Sequence, residues 1–197
     1  MTDVPRELHA SDDPVTALRD FSASFFGQNG LLIHARPLSP GELPVTIRQL
    51  LVHNDHMTEK LRCHYRHPIL LNVHGDQLKG NTYQRHITLT LAGSGRVVEV
   101  GLVRIDLRYT TADVRAAILE RRTPLGDVLI GADVLRRIEP RWYFRFGADC
   151  PLLADFRDSR VCVAYGRLGT IYCNEAPAIE LLEVVAERSD GSAEVLA

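Results

Sequence analysis

Apolar residues recur along this chain in two rhythms. Near the start, Val15, Leu18 and Phe21 fall at helical spacing behind Asp13-Pro14, a pair suited to cap and open a helix. Pro37 to Pro44, with three prolines and a glycine, reads as a loop, and Thr46 to Leu51 as a short segment of open type. From Pro68 onward the rhythm is mostly that of strands. Ile69 to Val73 is one, Gly75 to Asn81 is turn-like, and Tyr83 to Leu91 alternates cleanly. Gly93-Ser94-Gly95 turns the chain into Val97 to Leu107, which should pair antiparallel with the preceding strand. Helical spacing returns after Thr110-Thr111-Ala112-Asp113, with Val114, Ile118 and Leu119, and again from Pro124, with Leu125, Val128 and Leu129. Strand patterns resume at Leu135 to Phe146, Val161 to Cys173 and Ala178 to Val185, the last two joined at Asn174-Glu175. The prediction is an α+β domain, a largely antiparallel sheet covered by helices. No linker or repeat divides residues 1–197, and residues 1–12 and 187–197 are expected to be loose.

Two charges break this pattern. Strand alternation puts Arg85 on the face of Tyr83, Ile87, Leu89 and Leu91, and Glu183 on the face of Ile179, Leu181 and Val185. A buried ion costs several kcal/mol unless it is paired or matched to a ligand, as an order of magnitude. Two readings follow. The residues form a buried salt bridge or reach solvent at strand ends, or both line an internal pocket for an anion. An arginine fork grips carboxylates bidentately, and a glutamate among apolar neighbours would have a raised pKa suited to proton transfer. By the same alternation Arg104 and Asp106 read as solvated and His86 as lying opposite Arg85, at the surface or against a helix.

Composition narrows the picture. Of 197 residues, 45% are hydrophobic and 24% charged, with a formal net charge of -2, as expected of one globular domain. That balance gives no electrostatic footprint for nucleic acid or an anionic membrane. No apolar run is long enough to span a bilayer, and the polar first residues carry no secretory signal, so a cytoplasmic protein is expected. The four cysteines show no CxxC pair and are expected to be free thiols, with Cys63 and Cys173 serving as small packing residues. Five of the eight histidines, His53, His56, His64, His67 and His74, crowd into one stretch. The spacings His53-x-x-His56 and His64-x-x-His67 are compatible with metal ligation. Pro68 ends any helix there, however, and no HExxH arrangement is present, so no metal site is expected. Trp142, with Tyr143 and Phe144, reads as a packing cluster or a pocket lid.

Four segments in order, from about Leu50 to Val185, resemble the chorismate lyase (chorismate pyruvate-lyase) family, whose fold is shared by UTRA-type ligand-binding domains of bacterial transcription regulators. They are Asp55-His56-Met57-Thr58-Glu59-Lys60-Leu61, the strand from Tyr83 to Leu89, Thr123-Pro124-Leu125-Gly126, and the strand from Pro177 to Val185. The resemblance places Arg85 on the family's ligand-binding arginine and Glu183 on its essential glutamate. It implies backbone contacts to the ligand near Met57, Leu125 and Gly126, with His56 and then His53 beside the pocket. It also implies the elimination of pyruvate from chorismate to give 4-hydroxybenzoate, without metal or organic cofactor. Arg85 would hold a carboxylate and Glu183 would move a proton.

Three other functions stand beside this one. The first is a divergent enzyme acting on another carboxylate-bearing small molecule, and the second is a non-catalytic small-molecule sensor. The regulators that carry such a sensor place a DNA-binding winged helix before it, for which the residues ahead of Leu50 offer no room. The third is a metal enzyme built on the histidines. The expected partner is a small carboxylate rather than nucleic acid or a membrane, and the sequence carries no signal for an oligomeric state.

Overall fold

A computed structural model describes residues 11–27 and 30–188. The segments expected to be loose fall mostly outside the described residues. Helix α1 (Pro14–Phe26) is capped as the sequence predicts, with Asp13 accepting from the Thr16 amide at 2.7 Å. Then follow β1 (Ala35–Leu38), α2 (Val45–Leu51), α3 (Met57–Tyr65), β2 (Ile69–Lys79), β3 (Thr82–Leu91) and β4 (Val97–Asp106). Helices α4 (Ala112–Leu119) and α5 (Leu125–Gly131) precede the strands β5 (Arg136–Phe146), β6 (Val161–Cys173) and β7 (Ala176–Arg188).

The strands form one seven-stranded sheet in the order β1-β5-β6-β7-β4-β3-β2, antiparallel at every pairing. This is the α+β architecture the pattern predicts. Tight hairpins link β2 to β3, β3 to β4 and β6 to β7. Asn174 and Glu175 both take positive φ, 49° and 68°, as the two central residues of a hairpin turn do. The non-local pairing of β4 with β7 joins the hairpin groups and brings the strands of Arg85 and Glu183 into one sheet.

Both faces of the sheet are covered. Leu18 and Phe21 of α1 pack on Leu102, Phe144, Leu182 and Val184 of one face. On the other, α2 and α3 bring Leu51, Met57 and Leu61 onto Ile87, Leu89 and Val185, while α4 and α5 bring Ile118 and Leu129 onto Val103, Ile179 and Leu181. An Arg62–Asp127 ion pair of 3.0 Å links α3 to α5. Among the described residues no helix is long and apolar enough to cross a membrane.

Several expectations are corrected. The proline-rich segment is partly strand: β1 lies at the sheet edge, where the missing amide of Pro37 is tolerated, and Pro40–Glu42 is a 3₁₀ turn closed by a Ser39–Glu42 capping box. Thr46 to Leu51 belongs to α2. The glycine at 75 does not end its strand. A bulge between Val73 and Gly75 absorbs it, and β2 runs on to Lys79. Arg104 and Asp106 are not solvated, because α1 and the chain after β4 cover them. Arg104 donates to Glu180 at 2.7 Å and lies over the Phe21 ring, and buried Asp106 accepts from Arg108. Cys63 is exposed rather than packed, whereas Cys173 is buried as expected. Trp142 packs against the core on the α1 face, so it is no lid to a pocket on the other face. His86 packs beside Phe26 and lies 2.9 Å from Asp155.

Candidate functional site

The face of the sheet beneath α3 and α5 holds a small cavity, about 40 Å³, lined by residues of both helices and of strands β2, β3, β4, β6 and β7. Arg85 and Glu183 both line it, as do Met57, Leu125, Gly126 and His56. Six of the seven residues singled out from the sequence therefore converge here. Register explains how. Arg85 is level with Val103, and Glu183 is level with Gly101, one cross-strand step from Ile87. Gly101 matters because it has no side chain: a Cβ there would lie 2.9 Å from Ile87 Cδ1.

Arg85 and Glu183 do not pair with each other. Glu183 accepts from Arg167 Nε at 2.5 Å, and Arg167 is its direct neighbour across the β6–β7 ladder. The rest of that guanidinium is spent on main chain, donating to His53 O at 2.8 Å and to Leu51 O and Asp55 O at 3.2 Å each. These carbonyls lie at and beyond the C-terminal end of α2, where unsatisfied acceptors and the helix dipole favour a cation. Arg167 thus ties the α2–α3 connection to the sheet.

Arg85 has no such set of partners. It is 2% exposed, and among the described residues its Nε and Nη1 have no hydrogen-bond partner. Burial pulls its pKa down from the usual arginine range, with nearby Tyr83 and Asp76 opposing. The second buried group without a partner is Glu99 of β4, 2% exposed, whose Oε2 meets nothing that could hydrogen-bond to it. Burial, then the negative charge of Glu183, pushes its pKa well above the ordinary glutamate range, against the pull of Arg167. Burial thus favours the protonated form of Glu99.

His56 has a divided position. It lines the cavity and also an outer cleft of about 720 Å³ that includes Asp55, Glu59, Asp133 and Arg136. Its Nε2 accepts from Arg136 Nε at 2.9 Å, which fixes the neutral imidazole with the proton on Nδ1. Gly126 leaves room for the ring, since a Cβ there would come 2.9 Å from His56 Cβ. A 40 Å³ space holds little more than one water, so anything larger must displace a wall, and His56 is the wall shared with the cleft.

His53 does not reach the cavity. Its Nε2 lies 2.6 Å from Leu50 O, and its Nδ1 accepts from the Asp55 amide at 3.1 Å, so it serves the α2–α3 connection. The other histidines are dispersed: His64 meets Tyr65 edge to face and His74 bonds to Thr88. Among the described residues no three His, Cys, Asp or Glu side chains gather where they could hold a metal ion.

Both histidines of the connection couple stability to pH. Burial first, then Arg167 for His53 and Arg136 with Arg167 for His56, lowers each pKa from 6.5 to about 4. The unfolded chain binds these protons more readily, so the stability held in the neutral rings is complete above pH 6.5 and is lost as pH falls towards 4. Each ring then removes up to roughly 3 kcal/mol. Urea midpoints should fall between pH 7 and pH 5, and a His53→Asn/His56→Asn double variant should show a flatter dependence. An unchanged slope in that variant would place the acid sensitivity elsewhere.

No family model matches the sequence, and neither does any curated protein. Among solved structures, the chain is similar to PhnF from Mycobacterium smegmatis, at 14% identity and a TM-score of 0.50, over 70% of this chain and 65% of that one. The effector domain of the same protein, solved separately, aligns at 14% identity and a TM-score of 0.43, over 69% of this chain and 90% of that one. The chain thus spans about two thirds of the length of PhnF, and the likeness is one of fold, the UTRA-type α+β arrangement.

Proposed function

We propose that this domain binds a small organic acid without transforming it, and that Arg85 is the partner of the acid's carboxylate. One observation carries this reading: a guanidinium 2% exposed, with two nitrogens unpartnered, opening on a cavity. A buried cation short of hydrogen-bond partners costs several kcal/mol as an order of magnitude, and a ligand anion offsets that cost through charge-assisted hydrogen bonds. The reading accords with the fold shared with PhnF, a protein that has an effector domain.

A second reading keeps the chorismate lyase chemistry. It is favoured by the cavity itself, which gathers Arg85, Glu183, Met57, Leu125 and Gly126 as that family resemblance implies. Against it stands the commitment of Glu183 to Arg167. Incubation with chorismate, followed for pyruvate release and by calorimetry for binding, separates the two. The expected result is no pyruvate from chorismate, and binding of 4-hydroxybenzoate that Arg85→Ala weakens at least tenfold. Pyruvate release dependent on Arg85 would establish the second reading, and binding indifferent to Arg85→Ala would defeat both.

A further inference from the structure

We propose that Glu99 is the second pole of the ligand site: while Arg85 holds the acid's carboxylate, Glu99 Oε2 meets an uncharged oxygen, a hydroxyl or a ketone, at the other end of the same molecule. The inference rests on the reading of Arg85 given above and names the class of acid it would take.

The geometry comes from the sheet. Glu99 is level with Leu89 and Arg85 with Val103, so four residues of ladder separate them, about 13 Å along the strand direction. Both line the same cavity. The position between them on β4 is Gly101, and the Ile87 side chain lies over it, 2.9 Å from where a Cβ would be, so the wall between the two poles is the apolar Ile87. Glu99 is buried with Oε2 unpartnered, although neutral and hydrogen-bonding groups are normally satisfied in a core. Packing gives no reason for a carboxyl group here, since Ile87 and Leu89, which line the cavity from the facing strand, are apolar.

Charge then decides what Glu99 can meet. The cation nearest to it, Arg167, is spent on Glu183 and on three carbonyl groups. Glu99 consequently remains a carboxylic acid, able to donate one hydrogen bond and accept another, which suits a hydroxyl or ketone oxygen. A second anionic group at this end would face the charge of Glu183. The ligand class is therefore a monoanionic hydroxy or keto acid.

Benzoate, 3-hydroxybenzoate and 4-hydroxybenzoate are suitable probes, because they share a carboxylate and differ only in an uncharged oxygen. Titration calorimetry of the full chain should show one hydroxybenzoate binding at least tenfold more tightly than benzoate, the scale of a buried polar group left unpaired. Glu99→Leu should erase that preference while retaining benzoate binding, and Arg85→Ala should weaken all three acids. A nearly isosteric variant, Glu99→Gln, supplies a second readout. The infrared band of a protonated carboxyl, missing in Glu99→Gln, should shift in the wild type with the preferred hydroxybenzoate and not with benzoate. Equal affinities for the three acids, or a carboxyl band that the hydroxybenzoates leave unmoved, would overturn the role of Glu99 and leave that of Arg85 standing. Binding that survives Arg85→Ala, or no binding of any of the three, would overturn the reading beneath it.

Discussion

Arg167→Ala is expected to destabilise the domain by about 3–5 kcal/mol, the cost of breaking a buried ion pair from one side. The substitution leaves the Glu183 carboxylate buried without its cation and strips donors from Leu51 O, His53 O and Asp55 O. Arg167 is 1% exposed, so water cannot take over those contacts without opening the sheet. Arg167→Lys should recover only part of the loss, since one ammonium cannot reproduce a fork that serves four acceptors. Urea denaturation measures this directly. A loss of less than about 1 kcal/mol, the size of a surface pair, would mean that the network contributes little.

The second buried arginine should behave in the opposite way. Arg85→Met removes a buried guanidinium whose Nε and Nη1 have no hydrogen-bond partner and replaces it with an adaptable apolar chain. Without ligand the variant should be as stable as the wild type or more so, by about 1 kcal/mol or more, because the desolvation penalty of the guanidinium disappears. Ligand binding should be lost. Two arginines with nearly the same burial, on one face of one sheet, would then differ in sign: Arg167 holds the fold and Arg85 strains it for the sake of a ligand. Strong destabilisation by Arg85→Met would instead mean that this side chain is structural.

Strand alternation alone was enough to single out Arg85 and Glu183, because an antiparallel strand with one face in the core cannot hide a charge there. The same alternation would have exposed Glu99, which shares its face with Gly101, Val103 and Ile105, and Arg167, which shares its face with Tyr165, Gly169 and Ile171. Both were legible and were missed. What the sequence could not show is which arginine takes Glu183. That depends on the register of β6 against β7 across their hairpin and on the pairing of β4 with β7, a contact between segments far apart in the chain. Motif order located Met57, Leu125, Gly126 and His56 at the cavity, but it misplaced His53, whose ring is drawn away by the carbonyl of Leu50. Arg104 and Asp106 were misread for a related reason. Alternation says which face a residue takes, while the helix that covers that face, here α1, is a tertiary fact.

The most direct test of the role of Arg85 is thermal unfolding of the wild type and Arg85→Met, each with and without saturating 4-hydroxybenzoate. A ligand that binds only the native state raises the midpoint, by an amount that grows with the logarithm of its concentration over Kd. The predicted result is a midpoint that rises with ligand in the wild type, and a ligand-free midpoint in Arg85→Met that is equal or higher and does not move when ligand is added. An equal ligand-induced rise in both proteins would contradict the account.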